Sequence, residues 1–118
     1  MKHRDLTGRG VRFARDPHVR SLGHRDNVTI WLVDGEQIRD RYVDFTMGGS
    51  DARYRFIPRG QVWIEVKLSL RDREATIRHE LTERKCMLRG AGYDRAHDRA
   101  NVVERVWRRG HRRASWRG

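Results

Sequence analysis

Between Gln61 and Gly90 the hydrophobic pattern changes its period, and this change constrains the fold more than any other feature of the chain. In "QVWIEVKLS" (61–69), Val62, Ile64 and Val66 alternate with Trp63, Glu65 and Lys67, the two-residue period of a strand. Ser69 then stands three residues before Asp72, an N-cap with an acidic residue in the first turn. The spacing predicts a helix from about Leu70 to Arg89, ended by Gly90. A second helix is predicted from about Asp94, with Ala96, His97, Ala100, Asn101, Val103, Glu104 and Trp107 along one side. The short "GAG" link at 90–92 makes the two helices antiparallel neighbours.

The preceding residues read as strands. "NVTIWLVDGEQ" sets Val28, Ile30 and Leu32 on one side and Thr29, Trp31 and Val33 on the other, and Asp34-Gly35 predicts a hairpin turn. "RDRYVDFTM" (39–47) and "ARYRFIP" (52–58) are β-rich runs separated by "GGSD", and Pro58-Arg59-Gly60 turns the chain into the strand above. The fold class expected is therefore α+β: a small antiparallel sheet of up to four strands, followed by an antiparallel helix pair. Residues 1–25 have no sustained period and are expected to form an irregular basic arm, 26–108 a single domain, and 109–118 a basic tail.

The net charge of +11 is unevenly placed. Residues 1–25 carry seven basic and two acidic side chains, residues 105–118 six basic and none acidic, while 26–104 balance fourteen against fourteen. Arginine-rich ends can attract nucleic acid without sequence preference, or remain solvated. No apolar run is long enough to span a bilayer and no charged-then-apolar stretch reads as a leader, so no membrane partner and a cytoplasmic setting are expected. The single Cys86 cannot form an internal disulfide.

The chemistry concentrates in "HELTE", residues 79–83. A helix places His79 and Glu83 one turn apart, about 6 Å along the axis, so both can face one ion. Glu80 directly follows the histidine, where the general base of an HExxH helix sits, offset enough to hold a water. His97, early in the antiparallel second helix and beside the small residues Ala96 and Ala100, is the natural third ligand. Asp98, Asn101 and Glu104 are candidates to orient the ligand imidazoles, and Tyr93 or Tyr54 to stabilise an oxyanion.

These residues carry a family resemblance. The run "VWIEVKLSLRDREATIRHEL" followed by "HDRAN" (97–101) resembles the strand, active-site helix and downstream ligand element of minimal zincin metallopeptidases of the ImmA/IrrE type. That family uses His, His and Glu on zinc; His79, Glu83 and His97 would supply the same ligands with two positions exchanged. The resemblance spans about residues 62–104. It implies a zincin-like fold, a Zn2+ cofactor, hydrolysis of a peptide or protein substrate with Glu80 as base, and a substrate backbone lying along the strand Val62–Lys67. Two other readings use the same residues: a catalytically inactive zincin-like binding module, or a hydrogen-bonded network of His79, Glu83, His97, Asn101 and Glu104 that satisfies buried polar groups without an ion.

Overall fold

The computed structural model describes residues 13–112. The fold is α+β: a four-stranded mixed sheet followed by two long helices. In chain order the elements are β1 (His18–Arg25), β2 (Val28–Val33), a short helix α1 (Gly35–Arg39), β3 (Gly48–Ser50), β4 (Gln61–Glu65), α2 (Leu70–Leu88) and α3 (Tyr93–Gly110). The sheet order is β1-β2-β4-β3.

The helix pair follows its local signals. Ser69 Oγ accepts the Asp72 N–H at 3.2 Å, which occupies one of the unpaired donors of the first turn of α2. Gly90, just past α2, takes φ +105°, a left-handed conformation that glycine adopts without steric cost and that closes the helix. Gly92 then caps α3.

The sheet is mixed where an antiparallel one is expected. The β1–β2 and β3–β4 pairs are antiparallel, but β2 and β4 run parallel, with Trp31 in register with Trp63. The reason lies at Asp34. Its side chain accepts the Gln37 N–H at 3.3 Å and caps α1, so the chain turns into a helix there instead of reversing. The tight reversal is at Asp26-Asn27, both at positive φ (54° and 64°), the pattern of a type I′ turn between β1 and β2. Residues 18–25, expected within an irregular arm, therefore form the edge strand β1 by pairing with β2. Residues 1–12 lie outside the described residues.

Neither "RDRYVDFTM" nor "ARYRFIP" forms a strand. Their aromatic side chains form an irregular layer: Phe56 stacks on Tyr42 at 4.5 Å between ring centroids and lies 5.0 Å from Tyr54, and Phe45 meets Tyr54 edge-on at 5.9 Å. The glycines between the two runs are the strand instead. A Cβ on Gly48 would stand 2.9 Å from the Trp63 carbonyl oxygen and 3.1 Å from Thr76 Cγ2, and one on Gly49 would stand 2.7 Å from the Tyr54 ring. Only glycine lets this edge fit between α2 and the aromatic layer.

Each face of the sheet has its own core. Val28, Ile30, Leu32, Val62 and Ile64 pack against Ile77 of α2, and Val33 and Trp63 face Ile38, Phe45, Tyr54 and Ile57 on the other side. Burial of each such side chain contributes about 1.5–3 kcal/mol. The strand β4 is interior, flanked by β2 and β3, so the strand Val62–Lys67 offers no free edge to a substrate. The edge beside the helix pair is β3.

Candidate metal centre

The inward face of α2 holds Ala75, Thr76 and Ile77, but also His79, Glu80 and Glu83, which are 8%, 6% and 3% exposed. Three ionisable groups on one buried face lose hydration, a cost that partners within the fold or a bound ion must offset. Such a cluster is a candidate functional site.

The helix spacing puts His79 and Glu83 one above the other, and the short Arg89–Gly92 link brings His97 of α3 against them. Glu83 Oε2 lies 2.9 Å from His97 Nδ1 and 3.4 Å from His79 Nε2, and the two imidazole rings are 5.0 Å apart. One ligand atom from each residue lies within 4.8 Å of the other two. Ligands about 2.1 Å from a tetrahedral ion stand about 3.4 Å from one another, so small side-chain movements suffice to hold a metal here.

A second carboxylate orients the first imidazole. His79 Nδ1 donates to Glu104 Oε1 at 3.0 Å, because a carboxylate can only accept. The proton is thereby fixed on Nδ1 and the Nε2 lone pair of the neutral ring is left for a metal. Glu104 is held in turn by Arg108, whose Nε donates to Oε2 at 2.8 Å and whose Nη1 donates to Asp72 Oδ1 at 2.8 Å. The relay Asp72–Arg108–Glu104–His79 ties the end of α3 to the start of α2. The charge of residues 105–118 is therefore not all in a free tail: Arg108 serves this relay, and Trp107, 8% exposed, is part of the core.

The cluster opens into a cavity of about 360 Å3 between the helix pair and the β3 edge. It is lined by Asp44, Thr46, Met47, Gly48, Arg53 and Tyr54 on one side and by Thr76, His79, Glu80, Glu83, Tyr93, His97, Asn101 and Glu104 on the other. The Glu80 Oε1 atom is buried with no hydrogen-bond partner among the described residues. Burial, and then the neighbouring charge of Glu83, raise the Glu80 carboxyl to about 8. Burial by itself would lower the His79 pKa, but the Glu83 hydrogen bond and the charges of Glu80, Glu83 and Glu104 outweigh it and the net direction is upward. Two imidazoles, one carboxylate and a buried carboxyl oxygen without a partner fit a divalent ion with an open position. His79, Glu83 and His97 are thus a group that can hold a metal ion.

Of the remaining candidates, Tyr93 stacks on His97 with ring centroids 5.3 Å apart and places its hydroxyl 3.4 Å from Nδ1; burial pushes that hydroxyl up to about 12. Tyr54 donates its hydroxyl to the Asp44 carbonyl at 3.3 Å, and burial raises its pKa as well. Glu104 meets His79 and Asn101 borders the cavity, whereas Asp98 is exposed and outside its lining. Cys86 is partly buried and also outside it. His18 packs between Trp31 and Trp63, with ring centroids 4.5 and 5.0 Å away, and bonds Asp16 and Gln61, which makes it a clamp across the sheet.

Sequence reasoning missed Thr76, Met47, Arg53 and Arg108. The four-residue spacing of Glu104 and Arg108 is a helical ion-pair signal that could have found the last. The others have no local mark. Residues 113–118, like 1–12, lie outside the described residues, and with them Lys2, Arg4, Arg9, Arg12, Arg113 and Arg117 of the basic ends expected to attract nucleic acid. No helix among the described residues is long and apolar enough to cross a membrane. No family model, curated protein or solved structure matches this chain.

The pKa shifts have a consequence for stability. In the metal-free fold Glu80 and His79 both bind protons more tightly than in the unfolded chain, where they titrate near 4.5 and 6.5. Their contribution is fully present below those values and is lost as pH rises, for Glu80 up to about 8 and for His79 above its ordinary value. Chelator-treated protein should therefore lose roughly 5–10 °C in Tm between about pH 5 and 9, read by thermal unfolding. A metal needs these groups deprotonated, so the stabilisation on adding zinc should grow over the same range. A Tm of the metal-free protein that rises with pH would contradict the arrangement.

Proposed function

We propose that this chain is a zinc-dependent, metallopeptidase-like hydrolase acting on a peptide or protein substrate in a cytoplasmic setting, with a zincin-like site. The observation that carries this reading is the convergence of His79, Glu83 and His97 at the wall of a cavity that also receives the unpartnered Glu80 carboxyl oxygen. Zinc held by the three ligands would supply Lewis acidity and activate water for attack on a carbonyl.

The chain's own residues account for the rest. Glu80 takes the proton of the attacking water and passes it to the leaving amine. Its high pKa in the metal-free protein suits the second step, and a positive charge beside it favours the ionised form needed for the first. Tyr93 remains protonated at neutral pH and can donate to the oxyanion; it is favoured over Tyr54, whose hydroxyl is already given to the Asp44 carbonyl. Glu104, fixed by Arg108, keeps His79 in the tautomer a metal ligand requires. The edge of β3 replaces β4 as the place where a substrate backbone can lie: Met47 and Asp51 bond to β4, so Gly48 between them turns its amide and carbonyl outward.

A binding module without catalysis is the second reading. It is favoured by the closed set of contacts in which Glu83 already meets both imidazoles. The deciding measurement is the metal content of protein purified without a histidine tag. About one zinc per chain, and a lower Tm after chelation, are expected. Metal-free protein that takes up no zinc on titration would remove the proposal.

A further inference from the structure

The cavity is rich in carboxylates, with Asp44, Glu80, Glu83 and Glu104 in its wall, and among the described residues Arg53 is the one arginine or lysine that lines it. The fold holds this guanidinium with care. The Ser50 carbonyl accepts both the Arg53 N–H at 3.1 Å and the Tyr54 N–H at 3.0 Å, and Ser50 Oγ accepts the Ala52 N–H at 3.2 Å, which makes a rigid turn directly after β3. From that turn the guanidinium lies over the Tyr93 ring, 3.5 Å from its centroid, and Tyr93 in turn stacks on the candidate ligand His97. So close to the ring centroid, the guanidinium is held against the ring face, and apart from its hydrogen bond to the Tyr54 side chain its N–H edge is available to a planar anion. The carboxylate opposite that edge is Asp44, at 3.6 Å, beyond hydrogen-bond length, and its side chain is 61% exposed. Arg53 is 19% exposed, but a contact of that length to a carboxylate that solvent reaches is weak and can be exchanged.

We propose that Arg53 is the specificity residue of the cavity and receives a carboxylate carried by the substrate near the bond that is cut, as in a peptide with a free terminal carboxylate or an acidic side chain. This rests on the metal-site reading above. In a wall of carboxylates an anionic substrate would otherwise be repelled, so one guanidinium decides whether such a substrate enters. Exchange of Asp44 for the substrate carboxylate keeps Arg53 paired and leaves the exposed Asp44 to solvent, and the contact with Tyr93 spares part of the cost of ordering the arginine on binding.

Calorimetric titration of zinc-loaded protein with two probes tests this. Benzylsuccinate has two carboxylates, one for the metal and one for Arg53, whereas 3-phenylpropanoate has one. The parent protein should bind the first more tightly by roughly 10–100-fold, the worth of a charge-assisted hydrogen-bonded pair. In Arg53→Gln the ratio should fall to about one, and Arg53→Lys, which keeps the charge but not the fork, should retain part of it. Zinc content measured on the same preparations separates the two proposals. Zinc uptake with no preference for the dicarboxylate, or an equal preference in parent and Arg53→Gln, overturns the role of Arg53 alone; no zinc uptake overturns the metal site and this inference with it.

Discussion

The Glu83→Gln variant is expected to come out of purification with zinc at background level. Glu83 is the residue both histidines share: its Oε2 lies 2.9 Å from His97 Nδ1 and 3.4 Å from His79 Nε2, and it is 3% exposed. Glutamine has nearly the same shape but replaces an anionic oxygen by a weak neutral donor, so the dication loses the one negative ligand among its three. Even changes to groups that only orient a metal ligand weaken binding by about 10–100-fold, and loss of the ligand itself should exceed about 100-fold. The stabilisation a metal gives by binding only the folded chain, about 4 kcal/mol at a free concentration a thousand times Kd, should vanish with it. The comparison is with chelator-treated parent protein, since both then lack metal and differ only in the side chain. Equal zinc content in parent and variant, by elemental analysis, would make the "HELTE" helix an ordinary buried ionic network.

Glu80→Gln should separate chemistry from binding. The carboxyl borders the cavity but is not one of the three converging groups, so zinc content should remain close to that of the parent. Hydrolysis should fall by at least about 100-fold, the usual contribution of a positioned general base, because an amide cannot take a proton from water. The same variant should flatten much of the pH dependence of the metal-free Tm, since the group raised to about 8 no longer titrates. Zinc retained with undiminished hydrolysis would remove Glu80 from the mechanism. Zinc retained with no hydrolysis of any peptide even in the parent would favour the binding module.

How far the molecule was legible differs from one element to the next. The helices α2 and α3 were readable because their signals act within a few residues: the Ser69 cap, the glycine at +105°, the short link. The convergence of His79, Glu83 and His97 follows from the same local rules, since spacing on one helix and a tight connection to the next leave little freedom in where three side chains meet. The strands β2 and β4 were readable as strands because alternating Val and Ile positions bury one face whatever the partner.

Their partners were not readable. Whether β2 meets β4 parallel or antiparallel depends on the path of residues 34–60, and an Asp-Gly pair that favours a hairpin turn elsewhere here caps α1. The aromatic runs around Tyr42 and Phe56 have strand composition, yet their rings pack on one another in an irregular layer, while Gly48 and Gly49, with no strand propensity, pair because only they fit beside Thr76 and Tyr54. Arg53 lies against Tyr93 in the cavity, and Arg108 ties Glu104 to Asp72, through contacts between residues distant in sequence. The sequence by itself thus determined the α+β class, the helix pair and the three converging side chains, all of them products of caps and periods that operate over a turn or two of backbone. Tertiary structure alone decided the mixed sheet, the β3 edge and the cation in the cavity, because strand pairing and long side-chain contacts are selected by packing between segments whose meeting no local pattern encodes.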